Sequence, residues 1–154
     1  MNSCTMKTPV GNLVLVTSGN KLTSCTFTEN SGPAIIPIDN LILLQAIEEL
    51  TKYFSGVKVE FKTPLYAQGT RFQNIVWKNL QSIKWGETIT YGELAAETGT
   101  PKAARAVGNA LGKNPLPIFI PCHRVLAAHS LGGYSSGIER KKFLLTLERA
   151  FSFS

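Results

Sequence analysis

Cysteine and histidine are scarce in this chain: it has only Cys4, Cys25, Cys122, His123 and His129. The cysteines form neither a CxxC pair nor a close-spaced set, which argues against a disulfide framework and a structural zinc site. No metal and no cofactor are expected. No apolar run approaches the roughly 18 residues that span a bilayer, and residues 1–10 lack the continuous apolar core of a signal peptide. A cytoplasmic protein without membrane contact is expected. Charged residues make up only 17% of the chain against 44% hydrophobic, a composition that excludes disorder and suits one compact domain or two small ones.

Acids are outnumbered, 10 against 16 Lys and Arg, and the imbalance is uneven. Residues 1–67 carry Lys7, Lys21, Lys52, Lys58 and Lys62 against Glu29, Asp39, Glu48, Glu49 and Glu60, so that half is neutral. Residues 68–154 hold eleven Lys and Arg against five acids, and therefore the whole formal excess of +6. A polyanionic partner for the second half is the natural inference.

In residues 11–27, Leu13, Leu15, Leu22 and Phe27 alternate loosely with Thr and Ser around Ser18-Gly19-Asn20-Lys21, which predicts a β-hairpin. Residues 30–37 read as a Gly/Pro loop. Leu41, Leu44, Ile47 and residues 50–54 then recur at helical spacing before Gly56. A linker is placed at 62–70, dividing a sheet-plus-helix module (1–67) from a mostly helical domain (68–154). The second domain opens with a helix over 72–83. A short helix over 91–97, a Gly99-Thr100 turn and a helix from Pro101 to Leu111 form a helix-turn-helix candidate. In its second helix Ala103, Ala104, Ala106, Gly108 and Ala110 permit close approach to a DNA backbone, with Arg105 projecting alone.

Residues 114–124 read Asn-Pro-Leu-Pro-Ile-Phe-Ile-Pro-Cys-His-Arg. Three prolines restrict the backbone around apolar Ile118-Phe119-Ile120, so a rigid buried strand is expected to deliver Cys122 beside His123 and Arg124. A thiol near an imidazole and a guanidinium has its thiolate favoured, and the thiolate is the nucleophile. Neighbours in an extended strand point to opposite sides, so Cys122 and His123 meet only if the chain turns or a water bridges them. Downstream, Gly132-Gly133-Tyr134-Ser135-Ser136-Gly137 suits a turn closing over a ligand, and a helix over 138–149 ends near Glu148. That carboxylate either orients His123 as in a nucleophile-base-acid triad or is a solvated helix residue; spacing leaves both open. Cys4 and Cys25 read as small, partly buried thiols and His129 as a surface residue.

The ordered set Tyr91-Gly92-Glu93-Leu94-Ala95, residues 101–108 (Pro-Lys-Ala-Ala-Arg-Ala-Val-Gly), and Asn114-Pro115 through Pro121-Cys122-His123-Arg124-Val125 resembles the O6-alkylguanine-DNA alkyltransferases. The resemblance is strong over 69–148 and looser before it. It implies an α/β fold: a ribonuclease-H-like sheet-plus-helix module, then a winged-helix-like domain with the helix-turn-helix. It further implies Cys122 as alkyl acceptor, His123 as base through a water, Glu148 as the acid orienting it, Asn114 as the hinge of the active-site turn, and Tyr91 as a hydroxyl near the lesion. Arg105 is implied as the finger replacing an extruded nucleotide, with Ala103, Ala104 and Gly108 on the DNA-facing helix, and Val125, Tyr134 and Ser135 around the guanine pocket. The implied partner of this single-turnover, monomeric protein is double-stranded DNA containing O6-alkylguanine. Arg71, Asn109 and Ser136 depart from common family residues, as does His129 in the 126–131 loop; Ser136 is the departure that narrows or reshapes the pocket. The cysteine argues against an alkyltransferase-like binder without chemistry, the absent cysteine cluster against a fused regulator, and the lack of an oxyanion-hole signature against a papain-like hydrolase.

Overall fold

The structure, a computed structural model, describes residues 1–30 and 39–150. The loop expected at 30–37 therefore lies outside the described residues apart from Asn30. The chain divides into two compact units, Met1–Ala67 and Gln68–Ser154.

In the first unit, strands β1 (Asn2–Thr8), β2 (Gly11–Ser18) and β3 (Lys21–Thr28) form an antiparallel sheet in chain order. β2 and β3 are the expected hairpin, turning where Gly19 takes a φ of 59°, a value glycine adopts without Cβ strain. β1 was not expected. Cys4 is its one fully buried side chain, so no alternation announces it. Cys4 pairs with Leu15 and Leu15 with Cys25, which puts both thiols on one sheet face, fully buried rather than partly so.

Helix α1 (Leu41–Phe54) buries Leu43, Ala46, Leu50 and Tyr53, a stripe at helical spacing that contacts all three strands. Asn40 starts it: Oδ1 accepts from the Leu43 N–H at 3.0 Å, and Nδ2 donates to the hydroxyl of buried Thr17 at 3.2 Å. A buried leucine stabilises by roughly 2 kcal/mol, so the seam of Leu13, Leu15, Leu22, Leu43 and Leu50 outweighs exposed pairs such as Lys52–Glu48. Part of the expected linker is tied down, because Leu65 bridges Leu22.

The second unit comprises α2 (Arg71–Leu80), β4 (Ile89–Thr90), α3 (Tyr91–Glu97), α4 (Ala104–Gly112), a 3-10 turn (Cys122–Arg124), β5 (Val125–Leu126) and α5 (Ile138–Leu147). A capping box between Thr70 and Gln73 opens α2, and one between Thr90 and Glu93 opens α3. Trp77 on α2 donates from Nε1 to the Ala110 carbonyl of α4 at 2.9 Å inside the core. β4 pairs with β5 in parallel.

Two expected boundaries move. α2 ends at Leu80, three residues early, where Ser82 and Ile83 turn back on Asn79 and Leu80. α4 begins at Ala104 rather than Pro101, because Pro101 sits in a turn closed by the Ala103 N–H donating to the Thr100 carbonyl at 2.8 Å. Among the described residues no helix is long and apolar enough to cross a membrane.

Candidate active site

The segment leading to Cys122 is not a strand. Proline at 115, 117 and 121 removes the N–H donors a ladder needs, and the chain folds into a tight buried loop in which Ile118 takes a φ of 77°. The Ile120 N–H donates to the Leu116 carbonyl, and the Cys122 N–H to the Ile120 carbonyl, each at 2.8 Å. Asn114 supplies what the missing ladder does not. Its Nδ2 donates to the Ile120 carbonyl at 2.8 Å and its Oδ1 accepts from the Leu116 N–H at 2.9 Å.

Cys122 opens the 3-10 turn, so it and His123 are not the opposed neighbours of an extended strand. Cys122 is 6% exposed and lines a cavity of about 330 Å³ together with Tyr91, Gly108, Leu111, Gly112, Gly133, Tyr134 and Ser135. Helix α4 thus contributes to the wall of the cavity that holds the thiol. Of the expected pocket residues, Tyr134 and Ser135 line it. Val125 is buried, and its carbonyl accepts from Lys141 instead.

Behind the thiol lies a buried polar cluster. His123 Nε2 and Glu148 Oε2 are 2.6 Å apart. Arg124 donates from Nε to Glu148 Oε1 at 2.7 Å, from Nη2 to Oε2 at 3.1 Å, and from Nη1 to the Ile83 carbonyl at 2.5 Å. Of the two readings left open for Glu148, the solvated helix residue is excluded: its side chain is fully buried. Glu148 is the C-cap of α5, and Arg149 follows in the left-handed conformation while the Ala150 N–H returns to the Leu145 carbonyl at 3.0 Å.

The charges are balanced within this cluster. Burial pushes the Glu148 carboxyl up, but His123 and Arg124 outweigh it and hold it at about 2. Burial pulls His123 below its ordinary value; Glu148 opposes this and Arg124 and Lys141 reinforce it. With the carboxylate ionised, Nε2 carries the imidazole proton and Nδ1 is the basic nitrogen.

The thiolate expected at Cys122 is not the resting form. Burial raises the thiol, and the lowering effects of Asn114, Lys141 and the backbone N–H groups of Cys122 and His123 do not overcome it. Arg124 also does not serve the thiol as expected, since its guanidinium is spent on Glu148 and Ile83. The cation coupled to the sulfur is Lys141, which the sequence reading missed. Its Nζ is buried and donates to the carbonyls of Val125 at 2.6 Å and Gly133 at 2.9 Å. Burial lowers this ammonium to about 8 although Cys122 pulls it the other way.

Tyr91, the first residue of α3, accepts through its hydroxyl from the Gly133 N–H at 3.2 Å. Arg105 is exposed on the first turn of α4, beside half-buried Ala103 and Ala104, while Gly108 faces the cavity one turn further along. His129 is exposed. Among the described residues, no cluster of three His, Cys, Asp or Glu could hold a metal ion.

Residues 2–67 match the family model for the 6-O-methylguanine DNA methyltransferase ribonuclease-like domain, and residues 71–150 match the model for its DNA binding domain. The chain belongs to the 6-O-methylguanine DNA methyltransferase family. A Mycobacterium tuberculosis methylated-DNA--protein-cysteine methyltransferase is 44% identical over 151 residues, covering 95% of this chain and 91% of that one. A Haemophilus influenzae protein of the same name is 41% identical over 92% of this chain and 82% of its own. Among solved structures, Mycobacterium tuberculosis OGT in complex with DNA superposes with a TM-score of 0.86 at 41% identity, covering 97% of this chain and 94% of that one. As a methyltransferase of this family the chain has the α/β architecture its sequence implied, with the ribonuclease-like and DNA-binding portions in the expected order.

Proposed function

We propose that this chain repairs O6-alkylguanine in double-stranded DNA by moving the alkyl group onto Cys122, once per molecule. The observation that carries the reading is a cysteine lining a cavity bounded by α4 and backed by a buried imidazole and carboxylate, in a chain of this family.

His123 Nδ1 takes the Cys122 proton through a water, and the thiolate attacks the alkyl carbon in line. The S–C bond forms as the C–O6 bond breaks. The electron pair goes to the purine, which a proton from Tyr91 or solvent neutralises, restoring guanine. The thioether left on Cys122 has no good leaving group, so the thiol is not regenerated. A thiol kept neutral until base and substrate are aligned suits a protein that reacts once, since it resists stray electrophiles.

Residues 68–154 carry both the chemistry and the DNA contact in this reading, with 1–67 as the accompanying ribonuclease-H-like module. The lesion is flipped out at a cost of roughly a few kcal/mol. Arg105 fills the vacated stack, Ala103, Ala104 and Gly108 let α4 approach the duplex, Asn114 holds the hinge, and Tyr134, Ser135 and the backbone near Val125 frame the base. The cytoplasm is the place of action that this reading expects. The test is a stoichiometry: with a duplex carrying O6-methylguanine in excess, restored guanine should plateau at one per protein molecule. A steady rise beyond that contradicts single turnover, and no restored guanine contradicts the repair itself.

A further inference from the structure

Arg124 has no part in the chemistry above, yet it is nearly buried and uses three nitrogens. Two grip both oxygens of Glu148, and the third holds the Ile83 carbonyl in the turn after α2. A planar guanidinium held at both ends is a rigid part, and the carboxylate it grips is therefore fixed independently of His123.

We propose that Arg124 is a positioning residue for alkyl transfer: by clamping Glu148 and cancelling its charge, it keeps His123 a neutral base aimed by an immobile acceptor. The inference rests on the repair reading only for what that base is used for.

The electrostatic argument turns on the company His123 keeps. The titratable and charged groups that face it are Cys122 and Arg124 beside it in the chain, Lys141 from α5, and Glu148 at the end of α5. A fully buried imidazole next to a lone carboxylate is drawn toward a permanent imidazolium, because the ion pair relieves the desolvated anion. An imidazolium cannot accept the thiol proton. Arg124 divides the carboxylate's attention: with its + charge on both oxygens the Glu148–Arg124 unit is neutral, and a proton added to His123 would leave the buried cluster with an uncompensated positive charge. Lys141 acts in the same direction. Burial also disfavours imidazolium, but burial alone does not neutralise a carboxylate 2.6 Å away.

The chain is suited to a direct test, because it has only two histidines and the second, His129, is exposed. The imidazole resonances of the full chain, labelled in histidine, are followed by NMR against pH for the wild type, Arg124→Met and Arg124→Lys. The wild type should protonate His123 below the ordinary imidazole value of 6.5. In Arg124→Met the His123 protonation constant should rise at least about tenfold, one pH unit. Arg124→Lys keeps the charge and loses the fork, so its His123 midpoint should stay below the ordinary 6.5, which keeps the proposal testable should the methionine variant not fold. An unmoved His123 midpoint in folded Arg124→Met, or a midpoint above 6.5 in Arg124→Lys, overturns the proposal. Alkyl transfer is measured on the same samples. Intact wild-type transfer with an unmoved midpoint sinks this inference alone, whereas the expected midpoints in a protein that transfers nothing sink the repair reading alone.

Discussion

Lys141 holds the carbonyl of Gly133 at 2.9 Å, and the N–H of the same glycine reaches the hydroxyl of Tyr91. One buried ammonium on α5 thereby fixes the loop that lines the thiol's cavity and, through it, a tyrosine on α3. The same ammonium is the charge that favours the Cys122 thiolate.

Lys141→Met should therefore slow carbamidomethylation of Cys122 by iodoacetamide about tenfold at pH 7, the effect of one pH unit in thiol ionisation. Burial holds the ammonium at about 8, against the pull of Cys122, so its charge is present below that pH and lost above it. The two proteins should differ most below pH 8 and converge above. A constant ratio from pH 6 to 10 would show that Lys141 only packs.

Glu148 sets an acid limit on stability. Its folded value of about 2 lies below the ordinary 4.5, so the stabilisation is complete above pH 4.5 and is lost as pH falls through 2. The difference corresponds to about 3 kcal/mol. Urea unfolding midpoints of the wild type should drop steeply between those limits, while Glu148→Gln, already less stable at neutrality, should show little further loss there. Parallel curves would place the acid sensitivity elsewhere.

Asn114→Ala removes the donor to Ile120 and the acceptor for Leu116 in a loop with few backbone bonds of its own. A loss of about 1–3 kcal/mol in urea unfolding is expected, together with slower alkyl transfer. Asn114→Asp retains the acceptor for Leu116 and should recover part of the stability but not the rate, since an added negative charge beside Cys122 opposes the thiolate. Equal rates for the aspartate variant and the wild type would remove Asn114 from the active-site turn.

Arg105→Ala should slow repair of duplex DNA with little change in reaction with free O6-methylguanine, because Arg105 is exposed on α4 and does not line the cavity. Equal losses on both substrates would refute its part in extrusion.

Much of this was legible in the residues because periodicity and turn chemistry speak locally. Leu41 to Phe54 form the helix their spacing announced, and Gly19 turns the hairpin. β1 was hidden because only Cys4 is buried along it, and the start of α4 because Pro101 suits a turn as well as a first helical turn. Lys141 stands in the run Arg140-Lys141-Lys142, which reads as a solvated basic face; α5 has no clean apolar stripe, and only its packing shows which lysine goes inward. Arg124 misled for a related reason. Proximity in sequence placed it by the thiol, but the carboxylate that captures it is 24 residues away.

The most direct measurement is to react the protein with a duplex carrying one isotope-labelled O6-methylguanine, then digest it and weigh the peptides. The mechanism predicts one labelled methyl on the sulfur of Cys122, with none on buried Cys4 or Cys25 and none anywhere in Cys122→Ala. Label on another residue, or transfer that survives in Cys122→Ala, would contradict it.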